Sequence, residues 1–310
     1  MRRIRYEVSG GPEVLFVEEV AAPAPGPGEL LLDVAAIGVT LPMVRKVREG
    51  SEPVALGGEI AGTVVALGDG VVDFAIGDRV TGLSFGHGYA EQAVLHTAMA
   101  SHIPSHAGFV DAIALVRSGL VARGAYESAR PEPGESVLVT AAASAIGTLA
   151  LQFAKAGGAR RVVAAVGSAE KADFVRELGA DEVFLYDDAS WGEPVDVVLD
   201  AVGGALLTPA VRALAAGGRL VAFSSGGGTI EAYDLLVGGK SAIGFQMAVI
   251  ARNKPSLYAC WREGLWEMHA AGKLRTRIAA QFPLQDAAHA HALIESRRNL
   301  GKVVLVTERS

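Results

Sequence analysis

Cysteine is almost missing from this chain: Cys260 is the only one in 310 residues. A lone thiol closes no intramolecular disulfide and builds no cysteine-cluster metal site, and it suits a reducing compartment. Positive charge is also short. With a formal net charge of −6, 6% aromatic residues and no basic stripe interleaved with aromatics, the chain lacks the electrostatic footprint of a nucleic-acid binder. No apolar run is long enough to cross a bilayer, and the opening MRRIRYEVSGGPEVL lacks the apolar centre of a signal peptide. The expectation is a cytoplasmic, soluble protein with neither nucleic acid nor membrane as partner. What is plentiful is glycine, 38 residues, within a sequence that is 50% hydrophobic. That mix supports a large core, about two domains, and an α/β fold with many short turns.

Two regimes of patterning divide the chain. Up to about Pro104, short β segments alternate with Gly/Pro turns, clearest at Leu30–Ile37, Glu59–Leu67, Asp78–Leu83 and Tyr89–Leu95, which predicts a mostly antiparallel β domain. The proline-rich Ala22–Glu29 cannot continue a central strand and reads as a surface connection. A helical stretch near Val110–Tyr126 leads to the turn Pro131–Glu135. Beyond Gly134 the pattern becomes strand–helix alternation, the mark of a parallel sheet with crossovers. Strands are expected at Ser136–Thr140, Arg161–Val166, Glu182–Tyr186, Asp196–Asp200, Arg219–Phe223 and Ala242–Phe245, a six-stranded dinucleotide fold. Helices are expected at Ala145–Lys155, Ala169–Leu178 and Ala205–Leu214, with Gly157, Gly179 and Gly217 as left-handed caps, and again from Lys254 to about Ala271. Segments Val44–Pro53 and Met247–Lys254 read as loops. Leu284–Ser296 as helix and Lys302–Val306 as strand return to the first domain. The divisions are residues 1–114, 115–253 and 254–310.

The chemistry is concentrated in TAAASAIGTLALQFAK, Thr140–Lys155. A buried strand, a small-residue turn and a bare helix N-terminus together form an anion site that suits a pyrophosphate. Of the fingerprint G-x-G-x-x-G only Gly147 is kept; Ala142 and Ser144 occupy the first two glycine places. Ser144 is a good helix N-cap, and its hydroxyl is expected on the N–H of Ile146 or Gly147, or on the phosphate. The second strand ends at Val166-Gly167-Ser168 with no carboxylate where NAD-binding folds hold the ribose. NADPH is therefore favoured over NADH. Lys171 is either the cation for its 2′-phosphate or a solvated helix residue.

These segments resemble, nearly end to end, the zinc-independent (zeta-crystallin-like) quinone oxidoreductases of the medium-chain dehydrogenase/reductase superfamily. The resemblance is carried by GEIAGTVVALGDGVVDFAIGDRVTGL (Gly58–Leu83), GHGYAEQAVL (Gly86–Leu95), the cofactor turn, VGSAEKADFVRELGAD (Val166–Asp181), LDAVGG (Leu199–Gly204), GGRLVAFSSGGG (Gly217–Gly228) and ESRRNLGKVVL (Glu295–Leu305). It implies a Rossmann NADPH domain beside a GroES-like catalytic domain. It also implies Ser144, Ala145, Ile146 and Gly147 at the pyrophosphate, and Gly167, Ser168, Lys171 and Tyr186 at the adenosine ribose phosphate. Ala201, Val202, Ser224 and Ser225 would line the cofactor, Phe245 would approach the nicotinamide, and Arg297 would reach it from the tail. A homodimer pairing the strand around Ala242–Phe245 is implied as well.

Zinc-dependent relatives carry a G-H-E histidine where this chain has Gly57-Gly58-Glu59, so no catalytic metal is expected. His87, His96, His102 and His106 show no recurring ligand spacing and read as loop histidines. The family's G-x-N-x-x-D segment is Gly38-Val39-Thr40-Leu41-Pro42-Met43 here, and its G-x-T-A is Gly119-Leu120-Val121-Ala122. The expected reaction is hydride delivery to a small hydrophobic quinone or enone, with Thr40 as a candidate catalytic donor and Tyr89 as either a residue packed between the domains or a proton donor. Arg45, Lys46 or Asn253 read as either carbonyl polarisers or, more commonly for such residues, surface and turn positions. Two alternatives stand beside it: an enoyl-thioester reductase, and a cofactor-binding protein with little catalysis.

Overall fold

The structure is a computed structural model describing residues 1–223 and 226–308. It divides into two compact units, Met1–Arg117 with Ile278–Ser310, and Ser118–Arg277. The second unit therefore runs on past residue 254: helix Pro255–Ala270, with Pro255 in its first turn, packs on Met247–Asn253 and belongs to it.

The first unit is built on strand Glu29–Val39, ELLLDVAAIGV, whose residues are buried almost throughout. It pairs antiparallel with Lys302–Val306, Gly58–Leu67 and Gln92–His96. Register shifts at Leu31/Leu32 and Val34/Ala36 bend it, which lets one strand serve several partners. The sheet continues through Arg79–Ser84 to Ala100–His102 and, on the other side, through Lys302–Val306 to Ile278–Pro283. That last pairing is parallel, an exception in an otherwise antiparallel sheet. Leu30, Leu32, Ile37, Ile60, Tyr89 and Leu305 lie in the core this sheet encloses.

The segment after Val39, expected as loop from Val44, is a helix over Leu41–Glu49. Pro42 sits in its first turn, where no amide donor is needed, Val44 and Val47 are its buried face, and Lys46 and Arg48 lie at the C-terminal, negative end of the dipole. Met247–Asn253 is helical too. Both are short; burial of Val44 and Val47 holds the first against its weak intrinsic propensity, while Met247–Asn253 buries no residue fully.

The second unit carries a six-stranded sheet in the spatial order Glu182–Leu185, Arg161–Val166, Ser136–Thr140, Val195–Asp200, Leu214–Ala222, Ser241–Gly244. Every pairing is parallel, as the alternating pattern implies. The order reverses beside Ser136–Thr140, so the crevice at the C-terminal ends of that strand and Val195–Asp200 is the switch point where such sheets take ligands. Two of the expected glycine caps are corrected. Gly157 has φ −79° and the left-handed residue is Gly158, φ +82°; Gly157 is small because a Cβ there would meet the Tyr126 hydroxyl at 2.0 Å. Gly217, φ +73°, lies inside strand Leu214–Ala222 rather than after a helix. Gly179, φ +103°, caps as expected.

Candidate functional site

Strand Ser136–Thr140 is wholly buried and delivers the chain into the turn Ala141–Ser144 and helix Ala145–Ala156. Ser144 is that helix's N-cap: its hydroxyl accepts from the Gly147 amide at 3.1 Å, and its carbonyl accepts from Thr148. Of the partners expected for it, the structure selects Gly147. The terminus points its remaining amides and positive dipole end out of the turn, as an anion requires. Gly147 cannot be anything larger, since a Cβ would meet the Ala141 carbonyl oxygen at 2.2 Å and the Ala142 Cα at 2.7 Å. The lost glycines have a visible cost. Ala141 holds φ +48°, a left-handed conformation disfavoured by roughly 1–2 kcal/mol for a residue with a Cβ. The Tyr186 hydroxyl meets this residue directly, accepting from the Ala141 amide at 3.0 Å.

Tyr186 thus buttresses the turn, and its ring also lies over Gly167, where a Cβ would meet it at 3.4 Å. Ser168 follows in extended conformation with no capping bond, and Lys171 closes the short turn Ala169–Lys171. The turn Ala141–Ser144, Lys171 and Tyr186 therefore follow the C-terminal ends of neighbouring strands at one edge of the sheet.

Asp200 is a residue the sequence reading did not single out. Fully buried at the end of Val195–Asp200, its carboxylate accepts from the Thr140 hydroxyl at 2.8 Å and from the amides of Val202 and Gly203. The Thr140 hydroxyl in turn accepts from Ala201 at 2.9 Å. This clamp sets the distance between the two strand ends flanking the crevice and orients Ala201 and Val202. A buried aspartate directly before small residues, in LDAVGG, is the signal that could have found it. Phe245 is half-buried, and its ring tip lies over Gly124, where a Cβ would meet its Cζ at 2.3 Å, with Trp261 beside it. That gives it a packing role within the unit. Ser224 and Ser225 lie outside the described residues.

In the first unit, Thr40 ends the central strand and stands at the N-cap position of Leu41–Glu49 without making a side-chain capping bond. Tyr89 has its ring fully buried in the core, its hydroxyl lies 3.3 Å from His291 Nε2, and burial pushes its ionisation up. A phenol with no solvent-facing surface, tied to a histidine that burial holds neutral down to about pH 4, anchors the core of the first unit. Arg297 takes a left-handed conformation, φ +58°, and lines a cavity of about 240 Å³ with Leu41, Arg45, Arg48 and Glu295. His96 Nδ1 accepts from Ala98, and His102 bonds Asp78 and stacks on Phe74.

Beside Thr40 lies a charge network that spacing did not reveal. Glu59 and Lys302 are both buried and hydrogen-bonded to each other, and Arg117 Nη1 donates to the other Glu59 oxygen at 3.0 Å. Burial opposes the ionisation of Glu59, but the Lys302 ammonium and Arg117 guanidinium outweigh it and hold the carboxyl below its ordinary range. Gly38 is glycine because a Cβ would strike the Glu59 carboxylate at 2.5 Å.

Residues 26–129 match the alcohol dehydrogenase GroES-like domain family and residues 145–263 the zinc-binding dehydrogenase family. The zinc that the second name implies does not fit the G-H-E place here: Gly58 has no ligand atom, and both oxygens of Glu59 are engaged by cationic side chains. The chain is 31% identical to a quinone oxidoreductase of Rattus norvegicus, across 99% of this chain and 98% of that one. Among solved structures, a mycobacterial protein complexed with NADPH superposes with TM-score 0.91 at 29% identity, covering 99% of this chain and 100% of that one. The Escherichia coli quinone oxidoreductase complexed with NADPH gives TM-score 0.90 at 27% identity, with coverage of 99% and 100%.

Proposed function

The chain belongs to the zinc-independent quinone oxidoreductase family of the medium-chain dehydrogenase/reductase superfamily, and from that premise we propose that it is an NADPH-dependent reductase of small hydrophobic quinones or α,β-unsaturated carbonyls. The observation that carries the cofactor assignment is the tight turn at Gly147 with a Ser144-capped helix, beside a second strand that ends in Ser168 rather than a carboxylate. When bound, NADPH supplies hydride. Ser144, Ala145, Ile146 and Gly147 hold its pyrophosphate, and Gly167, Ser168, Lys171 and Tyr186 its ribose phosphate. Ala201 and Val202 line it beyond the Asp200 clamp, and in this reading Phe245 and Arg297 also lie toward it. Thr40 donates to the substrate oxygen. With no metal to polarise that oxygen, protein hydrogen-bond donors carry the charge that develops there.

The test is NADPH oxidation followed optically against a panel of quinones, enones and enoyl thioesters. Acceleration by quinones or enones is expected. Acceleration by thioesters alone would reassign the substrate, and tight NADPH binding without turnover would make this a binding protein. In the same assay Lys171→Ala is expected to weaken NADPH by about tenfold to a hundredfold, the worth of one charge-assisted hydrogen bond, and to leave NADH unchanged. Equal effects on both cofactors would remove Lys171 from the phosphate site.

We also infer a cytoplasmic homodimer. Strand Ser241–Gly244 ends the parallel sheet, and Tyr233, Leu236 and Val237 nearby are more than half exposed. An open edge beside apolar side chains favours strand pairing with a second copy. Sedimentation should give twice the chain mass, reduced to one by Leu236→Glu; a monomeric wild type would sink the inference. A lone, exposed cysteine suits the reducing cytoplasm.

A further inference from the structure

The network of Glu59, Lys302 and Arg117 holds one negative and two positive groups, so it carries an excess positive charge. The three are not equivalent. Lys302 and Glu59 have side chains 3% and 4% exposed, whereas Arg117 is 35% exposed. Lys302 sits behind the carboxylate and compensates it, which leaves the guanidinium charge in excess on the side that meets solvent. Among the described residues Glu59 is the only hydrogen-bond partner of Arg117, and it uses one terminal nitrogen. An arginine fork has five N–H donors, so those on Nε and Nη2 are held in a fixed plane by the anchored end. The location is equally specific. Glu59 lies against Gly38, two residues before Thr40. Lys302 falls opposite Thr40 when the Val303–Val39 register is carried one step further.

We propose that Arg117 is the catalytic electrophile of this protein, donating hydrogen bonds to the carbonyl oxygen of the quinone or enone as negative charge develops on it. The proposal rests on the reductase reading above. In that reaction the substrate gains a hydride with its electron pair from the nicotinamide, which ends oxidised. The substrate π electrons move onto oxygen, giving a hydroquinone monoanion or an enolate, and a proton from water completes the hydroquinone or saturated carbonyl. Arg117 keeps its own protons throughout. A cation preorganised by a buried carboxylate is already oriented when the charge appears, which is the condition under which such donors accelerate a reaction most.

The test uses full-length Arg117→Met and Arg117→Lys. Glu59 keeps Lys302 in both, so folding is preserved, and matching melting curves verify it. Arg117→Met is expected to lower kcat by about a hundredfold with NADPH affinity unchanged, the usual effect of removing one oxyanion donor, and Arg117→Lys to recover part of it. A second readout needs no turnover. Wild type is expected to bind 4-nitrophenol preferentially as the phenolate, so that absorbance titration gives the bound phenol a lower pKa than the free one, and Arg117→Met is expected to lose that lowering. A Met variant with wild-type kcat and an unaltered phenolate preference would overturn the proposal. If wild type reduces neither quinones nor enones, the reductase reading fails, and the phenolate titration alone decides whether Arg117 receives an oxyanion.

Discussion

Replacing Gly147 by alanine is expected to abolish NADPH binding and to destabilise the second unit by about 2–3 kcal/mol, the range of a single overpacked methyl group. The added Cβ would approach the Ala141 carbonyl oxygen to 2.2 Å and Ala142 Cα and carbonyl carbon to 2.7 and 2.8 Å. All three are backbone atoms, so no side chain can swing aside. The turn itself must move, and Ala141 is already in a left-handed conformation tied to Tyr186. Helix Ala145–Ala156 would lift from the sheet and carry its amides away from the place proposed for the pyrophosphate. NADPH fluorescence titration and calorimetric melting measure the two effects. Undiminished affinity would show that this turn does not hold the cofactor.

Replacing Lys302 by methionine is expected to cost about 3 kcal/mol of stability, the lower end for breaking a buried ion pair, because Glu59 retains Arg117. The double variant Glu59→Gln, Lys302→Met should recover most of that loss, since neither charge then remains to be desolvated. The pH dependence follows from the direction of the Glu59 shift. Its carboxyl is held below the ordinary range in the folded chain, so the pair stabilises above the unfolded value and that contribution fades as pH falls through the folded one. The gap between Lys302→Met and wild type should therefore narrow in acid. Chemical denaturation across pH checks this; a double variant as unstable as the single would mean that Lys302 acts through its packing.

The alternating second unit was legible because each parallel strand is a short, apolar run bounded by turns, and six such runs appear in order. The role of Gly147 was legible too, because helix must approach strand where the chain leaves Thr140. What escaped is of two kinds. Helices Leu41–Glu49 and Met247–Asn253 are too short to show a period; the first buries only Val44 and Val47. The charge network joins residues 243 and 58 positions apart, and nothing local marks Glu59, Lys302 or Arg117 as partners. For Tyr89 the sequence left packing and proton donation side by side, since a motif tyrosine fits either, and only the fold shows its complete burial against His291.

The first unit is discontinuous, with Ser118–Arg277 inserted in it, and this sets an order on biosynthesis. The central strand Glu29–Val39 waits for Lys302–Val306, and the Glu59 carboxylate has no ammonium to meet until residue 302 leaves the ribosome. All six strands of the parallel sheet have emerged by then. The inserted unit can thus complete its fold first, as domains do when they form on the nascent chain. The unit that bears Thr40 and Arg117 is completed last, when its C-terminal strand arrives.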